Sequence, residues 1–294
     1  EKGAFAGVDV RGGGPASRET ELLKPVNLVE QIHCVMLSGG SAYGLSAGDG
    51  AMAYLEEKGI GFDVGVGVVP IVCGASLFDL VVGDPKARPD KAMGYEACKN
   101  AMERETPPEE GNVGAGTGAS VGKYLGVDTM MKSGLGIYCV ETGGVKLGAL
   151  VAVNALGDIS DPATGRTLAG ILTPDKTALG STFDTMMAEM AGGRNVFSGN
   201  TPLGCIVTNA TLTKSQANKV ASMAHNGFAR TIRPVHTSVD GDTIFVMATG
   251  EAEVSPDALG ALAADVMAQA VCRAVLSAAP AYGLKAASDF AEKG

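Results

Sequence analysis

The sequence has no tryptophan, and aromatic residues make up only 5% of its 294 positions. Histidine occurs three times, at His33, His225 and His236. With no HExxH and no Cys/His cluster, no metal site is expected. The six cysteines, Cys34, Cys73, Cys98, Cys139, Cys205 and Cys272, are widely spaced and include no CxxC pair. They read as buried small hydrophobes in a reducing compartment, which points to the cytoplasm. No Lys/Arg run is present and the formal charge is −9, so the basic stripe of a nucleic-acid binder is missing. No apolar run reaches the roughly 18 residues of a membrane span, and there is no signal-peptide pattern. Charged residues are nevertheless 19% against 46% hydrophobic, a composition that buries a large core rather than staying disordered.

Glycine is the excess: 42 residues, without the triplet period of collagen and set inside apolar stretches rather than linkers. Such glycines suit close backbone approaches, at tight turns and at a ligand site.

Local patterns predict strands over residues 3–10, 26–37, 201–208 and 243–249, and strand or extended chain over 64–72. A strand pair over 135–140 and 145–154 turns at Gly143-Gly144. Helices are predicted over 42–58, stopped by Gly59, over 90–104, over 213–228 with Thr213 as cap, and over 255–278 with Ser255 as cap and Pro256 first. Residues 158–188 show no clear periodicity, and 191–200 read as a loop. Strands and helices alternate without βαβ regularity, which favours a layered α+β fold. With no repeat and no linker, residues 1–294 read as one domain.

Two motifs fail on inspection. Gly116-Thr117-Gly118-Ala119-Ser120-Val121-Gly122-Lys123 resembles a phosphate loop, but Thr117 stands where the first glycine belongs and Tyr124 replaces the magnesium-binding hydroxyl. Ser41, in Gly39-Gly40-Ser41-Ala42-Tyr43, lacks the second glycine of a nucleophile elbow and reads as a helix cap. The stretch Ser198-Gly199-Asn200-Thr201-Pro202-Leu203-Gly204-Cys205 is a polar loop running into an apolar strand that opens on a hydroxyl residue. One reading is a plain junction. The other is self-cleavage between Asn200 and Thr201, which gives Thr201 a free amine able to serve its own hydroxyl as base.

Seven ordered motifs carry a resemblance over nearly the whole chain: GVDVRGG (7–13), LSGGSAYGL (37–45), VPIV…LFDL (69–80), GNVGAGTGASVGK (111–123), AVNALGD (152–158), GNTPLGCIVTN (199–209) and HTSVDGDTIF (236–245). In these the chain resembles the N-terminal-nucleophile aminopeptidases of the L-aminopeptidase D-amidase/esterase (DmpA-like) family, with β-peptidyl aminopeptidases and the nylon-oligomer hydrolase. Part of the family's chain before GVDVRGG is expected to be missing here. The resemblance implies a four-layer αββα sandwich of the DmpA/ornithine-acetyltransferase type. It implies a precursor cut at Asn200–Thr201 into 1–200 and 201–294, a homotetramer or larger ring of processed protomers, and no cofactor. It implies Thr201 as nucleophile and Asn154 as oxyanion donor. Ser238 and Asp240 are implied to orient the amine, and Lys123 to hold it neutral. Asn154 also reads locally as a turn residue, and Ser238 and Asp240 as parts of the Asp240-Gly241-Asp242 turn.

Two departures bear on substrate. Phe78 stands where the family often has a Tyr that assists at the oxyanion or amine, and so lines the substrate site without a hydroxyl. The Ser238/Asp240 pair mixes the Asp/Asp of the nylon-hydrolase branch with the Ser/Glu of the aminopeptidases. Pro202 also removes a backbone N–H beside the nucleophile. The expected activity is hydrolysis of a small amide or short peptide through an acyl-enzyme on Thr201, with Asp240 available to pair with a substrate ammonium. The alternatives are an uncleaved relative that only binds a small ligand, and an acyltransferase using the same nucleophile.

Overall fold

The computed structural model describes residues 2–190 and 200–290; the predicted loop over 191–200 lies, except for Asn200, outside the described residues. The strands that frame the site are β1 (Ala4–Val10), β2 (Gln31–Ile32), β3 (Cys34–Ser38), β4 (Val72–Ser76), β5 (Leu135–Thr142), β6 (Val145–Ala152), β7 (Leu203–Ala210) and β8 (Thr243–Ala252). The helices are α1 (Ala47–Glu57), α2 (Lys91–Glu103), α3 (Thr182–Ala188), α4 (Lys214–Thr231) and α5 (Pro256–Leu276).

Six strands form the main sheet in the order β5-β6-β7-β8-β1-β2. Every pairing is antiparallel except β7 with β8, and a parallel pair needs a crossover, which α4 supplies. A second, smaller sheet joins Ser17–Arg18, β4 and β3.

Alternation along the strands sorts the side chains onto two faces. Leu147, Ala149, Val151, Ile206, Ile244 and Val246 pack under α4 and α5. Ala152, Leu203, Cys205 and Phe245 point the other way, against Cys73 and Ala75 of β4. On the far side of the small sheet, Val72 packs on Ala51, Tyr54, Leu55 and Cys98 of α1 and α2. The order is therefore helix, sheet, sheet, helix: the αββα sandwich, an α+β fold.

Helix ends follow their capping chemistry. The Asp90 carboxylate accepts from the Met93 N–H at 2.9 Å, and Thr213 forms a reciprocal capping box with Gln216. α5 has the length and apolar composition of a membrane span, yet Val266, Met267, Val271 and Val275 are buried on the main sheet, so it is a core helix. α1 and α2 touch through glycines: a Cβ on Gly94 would lie 1.9 Å from the Ala47 carbonyl, and one on Gly50 2.0 Å from that of Lys91.

Three expectations are corrected. The predicted 26–37 strand survives only as β2 and β3, and Val26 and Leu28 are exposed. The helix predicted from 42 begins as a 3₁₀ turn over Ser41–Ser46, and α1 starts at Ala47. Ser41 does not cap it. Gly40, at φ 84°, sits at the N-cap with no side-chain cap, and the Ser41 N–H donates to the Leu77 carbonyl at 2.9 Å.

Candidate active site

The parallel pairing puts the starts of β7 and β8 at one end of the sheet. The antiparallel neighbours bring the ends of β6 and β1 to the same place: Ala152 lies opposite Leu203, and Val10 opposite Thr243. Thr201, Asn154 and the loop 236–242 thus meet there, although they are far apart in sequence.

Thr201 is buried, 3% exposed. Its N–H donates to the Asn154 carbonyl at 2.7 Å, and its hydroxyl donates to the Asn200 carbonyl. That carbonyl also accepts the Gly241 N–H at 2.7 Å. Pro202 has no N–H to add to the ladder; its carbonyl accepts from Thr243 at 3.1 Å, and β7 starts at Leu203 rather than at the expected Thr201.

The Asn154 side chain is fully buried and its amide is fixed. Oδ1 accepts the Ser120 N–H at 3.1 Å and also the Lys123 ammonium, so Nδ2 is the donor end, and it donates to the Phe78 carbonyl at 2.8 Å. An amide held this way presents a donor without reorganisation. Phe78 thus enters the site through its main chain.

Lys123 is 2% exposed. Burial pulls its ammonium down to about 7, against the opposing attraction of Asp240 and Asp79. Asp240 is pushed up to about 6, by burial first and then by the negative charge of Asp242. The Asp240 carboxylate accepts the Thr237 N–H at 2.7 Å and the Thr237 hydroxyl at 2.6 Å. Ser238 is exposed on the same turn, so the hydroxyl that reaches Asp240 is that of Thr237, not Ser238.

Several participants carry no local sequence signal. Asp79 accepts the Gly40 N–H at 2.7 Å and fills a slot with no room for side chains: Cβ atoms on Gly39 or Gly118 would each lie 2.3 Å from its Oδ2. Burial raises its carboxyl. Lys132 is wholly buried, donating to the Gly116 carbonyl at 2.8 Å, to that of Ala119 at 3.1 Å and to that of Ser133, and so pins the glycine-rich loop that delivers Ser120 and Lys123. Asp242, also buried, accepts the His236 N–H at 3.0 Å and ring Nδ1 at 2.7 Å. Gly12 and Gly13 let the end of β1 lie on this loop, since their Cβ atoms would meet the carbonyls of Asp240 and Ser238 at 2.1 and 2.5 Å.

A cavity of about 260 Å³ borders Asp79, Asp84, Thr117 and Tyr282 beside these groups. A larger groove, about 690 Å³, lined by Cys139, Val207 and Thr249, lies at the opposite strand ends and has none of this chemistry. No group of three or more metal-ligating side chains occurs among the described residues.

The chain is similar to known proteins over most of its length. An uncharacterized aminopeptidase of Mycobacterium leprae is 42% identical over 300 residues, spanning 96% of this chain and 82% of the relative. A 6-aminohexanoate-oligomer endohydrolase of Kocuria sp. is 32% identical, spanning 82% of this chain and 71% of the relative. In fold it matches a Burkholderia sp. β-aminopeptidase with a TM-score of 0.66 and 20% identity, covering 94% of this chain and 74% of that one. The L-aminopeptidase D-Ala-esterase/amidase from Ochrobactrum anthropi, described as a variant of the Ntn hydrolase fold, matches with a TM-score of 0.64 and 17% identity over 94% of this chain and 74% of its own. The family model described as peptidase family S58 matches residues 1–288, and the chain belongs to that family of amide and peptide hydrolases.

Proposed function

We propose that this hydrolase processes itself between Asn200 and Thr201 and then uses Thr201 as an N-terminal nucleophile on small amides or short peptides. The observation that carries this reading is the setting of Thr201: buried, its hydroxyl on the carbonyl of the bond to be cut, its N–H on the Asn154 carbonyl. After the cut, the α-amine, with an ordinary pKa near 8, takes the hydroxyl proton as the oxygen attacks a substrate carbonyl. Asn154 Nδ2 is the donor for the oxyanion, oriented by Lys123 and Ser120. Asp240, held by Thr237, pairs with the Thr201 amine or with a substrate ammonium. The resulting ester is released by water.

The family's members include proteins named for aminopeptidase and 6-aminohexanoate-oligomer hydrolysis, so a short substrate bearing a free amine is the class proposed. The six free cysteines support a reducing, cytoplasmic setting. A homo-oligomer of processed protomers and independence from any cofactor belong to the same proposal.

Mass measurement of the denatured protein, beside Thr201→Ala, tests the reading. The expected result is two fragments, the smaller starting at Thr201, and a single uncut chain with no amide hydrolysis in the variant. One full-length species in both proteins sinks it and favours the uncleaved ligand binder.

A further inference from the structure

Self-processing and substrate hydrolysis both generate an oxyanion at Thr201, but from different carbonyls. In processing, the reacting carbonyl is that of Asn200, and its oxygen already has a partner. The Gly241 N–H donates to it at 2.7 Å, while the Asn154 side chain, the donor proposed for substrate, points its Nδ2 at the Phe78 carbonyl. The two donors come from different strands, on opposite sides of β7.

Loop 236–242 is built to deliver that N–H. Asp242, at its end, takes two hydrogen bonds from His236 at its start, and Asp240 takes two from Thr237. The loop is also sutured to the end of β1, where Arg11 N–H donates to the Asp242 carbonyl at 2.9 Å and Gly14 N–H to that of Asp240 at 2.7 Å. Only glycine fits at the centre: a Cβ on residue 241 would lie 2.8 Å from the Thr201 hydroxyl oxygen and 2.9 Å from the Gly14 carbonyl. A side chain there would push the nucleophile away from the bond it cuts.

We infer that the Gly241 main-chain N–H is the oxyanion donor of the processing step, a catalytic group distinct from Asn154. This rests on the self-processing reading above. The Thr201 oxygen forms a bond to the Asn200 carbonyl carbon, and the carbonyl electron pair moves onto the oxygen held by Gly241. Collapse breaks the bond between that carbon and the Thr201 nitrogen, which takes up the proton lost by the hydroxyl and leaves as a free amine. The ester so formed is hydrolysed by water to the Asn200 carboxylate and the free Thr201 hydroxyl.

The test replaces one atom. Cell-free translation with a suppressor tRNA charged with glycolic acid at position 241 turns the N–H into an ester oxygen; the same tRNA charged with glycine is the control. Cleavage at Asn200–Thr201 is followed by mass against time. Removal of one oxyanion donor is expected to slow the cut by on the order of 10²–10³-fold. The same exchange in a Thr201→Ala chain is expected to leave the melting temperature within a few degrees. A glycolate chain cut within threefold of the control overturns the assignment and leaves self-processing standing. Slow cleavage accompanied by a collapse in melting temperature also overturns it, making position 241 structural. A glycine control that stays uncut, like Thr201→Ala, removes the self-processing reading and the inference with it.

Discussion

Replacing Lys123 with methionine should make the protein more stable at neutral pH while disabling its chemistry. The ammonium is 2% exposed and its pKa falls from 10.5 to about 7 on folding, chiefly through desolvation. That difference is about 3.5 units, or roughly 5 kcal/mol when fully developed at about 1.4 kcal/mol per unit. Half protonated at pH 7, the folded chain bears about 4 kcal/mol of it. The sign follows from the protons bound. Between pH 10 and 7 the unfolded lysine holds more protons than the folded one, so stability falls as the pH drops through this window and is level below it. At pH 10 the penalty has shrunk to about 1 kcal/mol. Methionine removes the penalty but also the bond to Asn154 Oδ1, which costs about 2 kcal/mol because a buried acceptor loses a charged partner. The variant should therefore gain about 2 kcal/mol at pH 7 and lose about 1 at pH 10. With unfolding entropy near 2.1 cal/mol/K per residue, the gain is about 3 °C in melting temperature. The assay is thermal unfolding of Thr201→Ala and Thr201→Ala/Lys123→Met from pH 6 to 10, in a continuous chain. A difference that does not vary with pH, or a variant less stable at pH 7, would refute the reasoning.

Asn154→Ala should lower kcat for an aminoacyl amide by on the order of 10²–10³, read by steady-state kinetics on processed protein, since it deletes a preorganised donor. Because burial and Asp242 raise Asp240 to about 6, its carboxylate forms only as the pH rises through that value. Beyond the decline that protonation of the amine causes below about pH 8, the wild-type rate should fall more steeply below pH 6, and Asp240→Asn should be slower and lack that second limb in a pH–rate profile. Gly94→Ala should destabilise by about 2–3 kcal/mol, seen as a lower denaturant midpoint, because the added carbon would sit 1.9 Å from the Ala47 carbonyl and force α1 and α2 apart.

Local chemistry made individual helices and the β5–β6 pair legible, while the sandwich itself was implied by the family resemblance. Thr213 and Ser255 announce their helices because caps act within three residues, and the turn at Gly143-Gly144 announces β5 and β6. The motif positions Thr201, Asn154, Lys123 and Asp240 do converge at one strand end. What stayed illegible is held by contacts distant in sequence. Residues 158–188 have no period because the buried Asp158 carboxylate organises them, accepting from the Ile171 N–H at 2.8 Å and the Thr182 N–H at 2.6 Å. Asp79 and Lys132 look like surface charges in the sequence; only folding closes glycine backbones and carbonyls around them. Ser238 and Thr237 are adjacent hydroxyls, and no pattern says which one turns toward Asp240.

The strand order has a consequence for the fate of the two pieces. A cut at Asn200 assigns β5 and β6 to the long piece, β7 and β8 to the short one, and β1 and β2 to the long one again. The short piece is thus a two-strand wedge driven into the middle of the other's sheet, registered with Ala152 through Leu147 on one flank and with Phe5 through Val10 on the other. Neither piece owns the whole main sheet. Made separately, the long piece would carry two half-sheets with raw inner edges, an aggregation template rather than a folding partner. The information for assembly belongs to the unbroken chain alone, and a cleaved molecule, once unfolded, should have no route back.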